Sequence, residues 1–247
     1  MISTDNALLE VEDLRVAFAA GGREIRAVDG VTYKVDPGRT LAIIGESGSG
    51  KTVGCRAIMG LLPAGTAISG SARLRGTELI GLSDGQLRKH RGSEMAMVFQ
   101  DPARSLNPTM RVGKQITEAI RTHRTVSRSD AHDQAVELLR LVRIPAAERR
   151  FHEYPHQLSG GMRQRVVIAM ALACRPKLLI ADEATTALDV TTQAQIMELL
   201  RDLTRRLNVA LIIITHNLGV VARYAHRVNV MYAGRIVETG LAEAVYH

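Results

Sequence analysis

The chain of 247 residues is 46% hydrophobic and 23% charged. These are ordinary globular proportions, which exclude global disorder and suit one large α/β domain, or a domain with a subdomain. No apolar run approaches the ~18 residues that cross a bilayer; the most apolar stretch, Val209 to Ile214, is strand length, and the N-terminus has no basic region followed by an apolar one, so no secretory signal is expected. The net charge of +7 would suit nucleic acid, but aromatics are only 3% and Trp is absent, so stacking platforms are scarce.

The basic excess is uneven. Between Asp101 and Arg175 there are 13 Lys or Arg against 7 Asp or Glu. Such a segment fits anionic lipid headgroups, acidic partner loops or a solvated helical surface. Cys55 and Cys174 lie in apolar, helix-like sequence with no second Cys or His at metal spacing. Both read as buried free thiols in a reducing compartment.

In chain order, Leu8 to Phe18 alternates apolar and polar residues as a strand does. Val31 to Val35 reads as a second strand, ended by the turn Asp36-Pro37-Gly38. Leu41 to Ile44 is fully apolar, as in a buried parallel strand. A helix is expected from Lys51 to about Leu62, stopped by Pro63. Residues 83–93 are polar, and Met95 to Phe99 is again a short strand. From Ala103 to Arg175 the period is helical, with Ser127 and Asp130 placed as a capping box. Alternation then resumes, with a strand at Leu178 to Ala181 and a helix at Thr191 to Leu207. A strand at Val209 to Thr215, a helix to about Tyr224 and a hairpin across Ala233-Gly234 complete the order. The reading is an α/β core around an inserted helical segment.

Two features carry chemistry. Gly45, Glu46, Ser47, Gly48, Ser49, Gly50, Lys51 and Thr52 fit the spacing G-x-x-x-x-G-K-[ST] between a buried strand and a helix. Glycines let backbone N–H groups wrap a phosphate chain, the helix adds its positive end, Lys51 neutralises the β- and γ-phosphates, and the Thr52 hydroxyl ligates Mg²⁺. The apolar strand ending in Asp182 and Glu183 delivers carboxylates beside such a loop. Asp182 would hold the metal and Glu183 would polarise an attacking water.

Leu158-Ser159-Gly160-Gly161-Met162-Arg163-Gln164-Arg165 resembles the signature of ABC-type ATPases, with Met162 at the usual Gln position. The resemblance implies a P-loop NTPase with a RecA-like parallel-sheet core, an N-terminal antiparallel β subdomain and an inserted α-helical subdomain. One nucleotide-binding domain would fill residues 1–247, the core being about 1–100 and 176–247 and the helical subdomain about 101–175. It also implies that Ser159, Gly160 and Gly161 grip the ATP bound by an opposite subunit, although Ser159 fits a helix cap equally. By the same resemblance Gln100 senses Mg²⁺ and the attacking water. Ala187-Leu188-Asp189 is the D-loop at the dimer interface, and His216 contacts the γ-phosphate, where a lone His after a strand is otherwise structural. Phe18 stacks on adenine or belongs to the core.

The wording GESGSGKT, QDPARSLNP, LSGGMRQRVVIAMALA and MYAGRIVETG is similar to ATPase subunits of the dipeptide, oligopeptide and nickel importer group. This implies a peripheral subunit on the cytoplasmic face of a bacterial inner membrane. It would work with a second ATPase subunit, head to tail, and with two membrane permease subunits fed by an extracytoplasmic binding protein. No nucleic-acid partner is implied. Two positions depart from the family pattern: Ala184 replaces a Pro after the catalytic Glu, loosening the segment, and Asn217 replaces an Asp after the switch His. Members often continue past a segment like residues 243–247, some with a Cys cluster. The chain is therefore read as truncated and without an iron–sulfur centre. A soluble ABC-type ATPase of DNA repair or translation is the alternative, and such proteins usually carry a coiled-coil insertion or tandem units. A degenerate ATP-binding partner is the other.

Overall fold

Residues Leu9, Val11, Leu14 and Val16 are all buried. The spacing changes phase because Asp13 bulges with a φ of 47°, so one strand keeps a single apolar face. The computed structural model describes residues 7–185 and 188–244. Along the chain the elements are β1 (Leu9–Ala20), β2 (Arg23–Val35), β3 (Thr40–Ile44), α1 (Lys51–Ile58), β4 (Ala67–Leu74), β5 (Thr77–Glu78) and α2 (Asp84–His90). Then follow β6 (Met95–Val98), α3 (Pro102–Ser105), α4 (Val112–His123), α5 (Arg128–Leu141), α6 (Ala147–Phe151), a 3-10 turn (Pro155–Gln157), α7 (Gly160–Leu172), β7 (Leu178–Asp182) and α8 (Val190–Leu207). The chain closes with β8 (Ala210–Thr215), α9 (Leu218–Tyr224), β9 (Arg227–Tyr232) and β10 (Arg235–Leu241). It divides into one unit of residues 7–88 with 208–244 and another of residues 89–207.

The first unit holds two sheets. β2, β1, β4 and β5 pair antiparallel in that order. In the other sheet β3 lies between β8 and β9, parallel to both, and β10 folds back on β9. All five residues of β3 are buried, as its uninterrupted apolar run requires. Ala42 and Ile44 of β3 pack with Val221 of α9 and with Val228 and Ala242. The hairpin turn has Ala233 and Gly234 both at positive φ, 45° and 82°, the conformation that a two-residue turn needs.

In the second unit β6 and β7 run parallel, Val98 opposite Ala181. All regular structure between Pro102 and Leu172 is helical. Ile116 and Ile120 of α4, Leu139 of α5 and Ile168 of α7 are fully buried. The unit is wider than the helical segment about 101–175, since it also contains β6, β7 and α8.

Three expectations are corrected. The first helix ends at Ile58, not Leu62, because Gly60 turns left-handed (φ 62°) and Leu61 N–H bonds back to Arg56 O at 2.8 Å. The second strand begins at Arg23, eight residues before Val31. Cys174 lies past the end of α7 and is only half-buried; that partial burial still pushes its thiol pKa up. Ser127 does cap α5, its hydroxyl accepting from Asp130 N–H at 3.0 Å.

Candidate functional site

The phosphate loop leaves buried β3 and closes on the first turn of α1. A side chain at Gly45 or Gly50 would place Cβ 2.0 Å from Met231 O or 2.1 Å from Ala27 O, and Gly50 has a φ of 98°, so only glycine fits between these backbones. Glu46, Ser47 and Gly48 are exposed, while Ser49 and Lys51 are buried. Lys51 Nζ donates to Gly45 O at 2.8 Å, Glu46 O at 2.7 Å and Ser49 Oγ at 3.3 Å. The ammonium is thus bound to its own loop, and Thr52 follows it in the first turn, partly exposed.

Elsewhere in this unit His216 is exposed just after β8. Asn217 is the N-cap of α9, its Oδ1 accepting from Gly219 N–H at 3.0 Å and Val220 N–H at 3.4 Å. The amide therefore performs the capping that an Asp there would perform. Phe18 is partly buried on β1, opposite Ile25 of β2. A cavity of about 380 Å³ opens at the other end of β3, lined by Arg39, Thr40, His226 and Arg227 among others. It includes none of the predicted site residues.

The second unit assembles the other groups. Asp182 ends β7 and is 3% exposed. Glu183 follows with a left-handed backbone, φ 46°. Gln100, two residues past Val98 on the neighbouring strand, donates from Nε2 to Glu183 Oε2 at 2.9 Å. Ser159 caps α7, accepting from Met162 N–H at 3.3 Å. Gly160 and Gly161 lie against the start of α8, where a Cβ would sit 3.5 Å from Leu188 and 2.7 Å from Thr192. The carboxylate of Asp189 accepts from Thr192 N–H at 2.9 Å. That backbone donor holds the Asp189 pKa below the usual carboxylate range. Ala187 of the D-loop lies outside the described residues.

Sequence reasoning passed over two supports. Gln115, 6% exposed on α4, accepts from Asn107 N–H at 2.9 Å and donates to Asn107 O at 3.0 Å and Met110 O at 2.8 Å. It clamps the loop after α3, and nothing in its sequence context marks a buried, fully used amide. Asp101 caps α3 by accepting from Ala103 N–H at 2.8 Å. The Asp-Pro pair was the available signal, since Pro is favoured at the first helical position.

A family model described as ABC transporter matches residues 28–186, a span that includes the phosphate loop, Gln100, the signature turn and Asp182-Glu183. The chain belongs to the ABC transporter family. Among individual proteins, this ABC chain is 55% identical over 242 residues to the oligopeptide transport ATP-binding protein OppD of Bacillus subtilis (strain 168), covering 97% of this chain and 68% of that protein. It is 52% identical to the dipeptide transport ATP-binding protein DppD of Escherichia coli (strain K12), covering 98% of this chain and 74% of that one. Among solved structures, the dimeric post-hydrolysis state of the ATP-binding cassette MJ0796 bound to ADP and Pi superposes with a TM-score of 0.84. It has 27% identity and spans 95% of this chain and 99% of that one. The fold is that of an ABC ATPase cassette. No helix among the described residues is long and apolar enough to cross a membrane.

Proposed function

We propose that this chain is the ATP-binding and hydrolysing subunit of a bacterial ABC importer for di- and oligopeptides. The observation that supports this reading most directly is the 55% identity to an oligopeptide transport ATP-binding protein along 97% of the chain. Nickel belongs to the same importer group, and the two relatives compared above are named for peptides.

In this reading ATP is the substrate. Gly45 to Thr52 bind its phosphates through backbone N–H groups and Lys51, and Phe18 stacks on adenine. Thr52 and Asp182 would hold Mg²⁺, with Gln100 as a further oxygen donor. That donor set is all hard oxygen, and no group of three His, Cys, Asp or Glu gathers among the described residues. Both points suit a cation that keeps phosphate oxygens and waters as ligands. Bound there, Mg²⁺ supplies neutralisation of phosphate charge. Glu183 polarises the attacking water and His216 steadies the γ-phosphate. Ser159, Gly160, Gly161 and Asp189 serve the nucleotide held by a second ATPase subunit, arranged head to tail. The core is residues 1–100 with 176–247. The helical segment 101–175 relays opening and closing to two membrane permease subunits at the cytoplasmic face of the inner membrane, with an extracytoplasmic binding protein delivering cargo.

The test is E183Q. ATP binding is expected to stay near wild type while turnover falls at least ~100-fold, the scale of a lost general base. Wild-type turnover in that variant refutes the assignment.

A further inference from the structure

Glu183 adopts a backbone conformation that L-residues other than Asn and Asp rarely take. It stands where β7 ends, and its carboxylate is bound by Gln100 from the adjacent parallel strand at 2.9 Å. The next residue is Ala184, 5% exposed. A proline at that position would drive Glu183 towards extended backbone, because the Pro ring clashes with the preceding residue outside the β region. Ala184 imposes no such restriction.

We propose that Ala184 is a positioning residue for ATP hydrolysis. By leaving the left-handed conformation open to Glu183, it lets Gln100 engage the Glu183 carboxylate, and in the ATP-bound site this pairing competes with the attacking water for that carboxylate and so restrains kcat. The inference rests on the reading of Glu183 and Gln100 as the groups that face the attacking water.

Three observations support restraint rather than activation. The carboxylate oxygen that accepts from the Gln100 amide is a poorer acceptor for a water proton. Gln100 is exposed, so its hydrogen bond exchanges with water at little net cost, which makes the restraint a modest one and not a block. Strained backbone persists only while its surroundings hold it, and the bond from Gln100 is one of the contacts made at Glu183. The residue at 184 thus sets how readily Glu183 holds the paired arrangement.

The experiment compares the purified chain with A184P and A184G, measuring steady-state ATPase and the unfolding midpoint. A184P is expected to raise kcat by up to roughly fivefold to thirtyfold, the scale of one disfavoured backbone region, with KM for ATP within about twofold. A184G removes the buried methyl but leaves Glu183 unrestricted, so its kcat should stay within about twofold of the parent. A merely structural role for Ala184 would lower the unfolding midpoint without raising kcat. A folded A184P with unchanged or reduced kcat overturns the proposal. Where A184P does not fold, ¹⁵N-labelled glutamine side chains supply the second measurement. The Gln100 Nε2 resonance should shift between the parent and E183Q. A resonance that stays in place overturns the pairing. Full turnover in E183Q would instead refute the role of Glu183 itself, so the two failures are distinguishable.

Discussion

A Cβ added at Gly161 would lie 2.7 Å from Thr192 Cγ2, a separation that real side chains do not tolerate, whereas one at Gly160 would lie 3.5 Å from Leu188, an ordinary contact. The two glycines are adjacent in the first turn of α7 behind the Ser159 cap, so their helix propensities are nearly the same. Gly→Ala in a helix gains about 0.5–1 kcal/mol, and overpacking costs about 1–3 kcal/mol. G160A should therefore stabilise by roughly 0.5–1 kcal/mol, the propensity gain alone. G161A should destabilise by up to about 2.5 kcal/mol, the difference of the two terms. T192S deletes the offending methyl. In that background G161A should turn stabilising, a coupling of about 1–3 kcal/mol within one contact. The assay is urea unfolding of the four members of the cycle and G160A, with midpoints compared at constant m. Additivity of G161A and T192S, or a G161A that is more stable than the parent, refutes the contact. G160A also separates stability from function. If this turn presents backbone to a nucleotide on a second subunit, G160A remains folded yet loses the concentration-dependent part of its ATPase.

Two further outcomes follow from single interactions. S127A removes the hydroxyl that accepts from Asp130 N–H and should cost about 1 kcal/mol of stability, read as a lower urea midpoint. His226 is held below its ordinary pKa of 6.5 by burial and by the Arg39 charge, and its Nδ1 accepts from Thr40 N–H at 2.9 Å. A folded pKa below the unfolded one means that the unfolded state binds the proton first, so stability should fall as pH drops from about 7.5 through 6.5 towards the folded value. H226N keeps an acceptor without titrating and should flatten that part of the profile. An equally steep profile in H226N refutes the assignment.

The residues assigned to chemistry stand out in the sequence because they sit where a fully apolar strand meets an abrupt polar change. Leu41 to Ile44 and Leu178 to Ala181 are short runs buried throughout, and the loops after them are short enough for a one-residue assignment. The Ser159 and Ser127 caps were legible for the same local reason, a hydroxyl three residues before the N–H it accepts. Arg23 to Gly30 was not read as strand because its first half, Arg23 to Arg26, is exposed, with charges at Arg23, Glu24 and Arg26. It is strand only because β1 pairs with it through Phe18 and Ile25. Residues 67–74, AISGSARL, are small and mixed, and their strand exists by pairing with Leu9, Val11 and Val16. Non-local pairing overrides local propensity in both cases. The left-handed Glu183 leaves no mark in composition at all.

What the sequence does not reveal is the state of the site, and Lys51 shows why. A buried ammonium needs acceptors, and Lys51 takes two loop carbonyls and the Ser49 hydroxyl from its own loop. Gln100 and Glu183 likewise use each other. Phosphate binding is then an exchange of hydrogen bonds, not a gain of new ones. Exchange of a neutral carbonyl for an ionised phosphate oxygen is favourable because the buried ammonium then faces an opposite full charge instead of a dipole. The same exchange at Glu183 trades a carboxylate–amide bond for a carboxylate–water bond, which carries no such advantage. Nucleotide binding should therefore proceed readily on this chain alone. In the proposed reading, commitment of Glu183 to water would need a further contribution, from relief of its backbone strain or from a second subunit closing on the nucleotide.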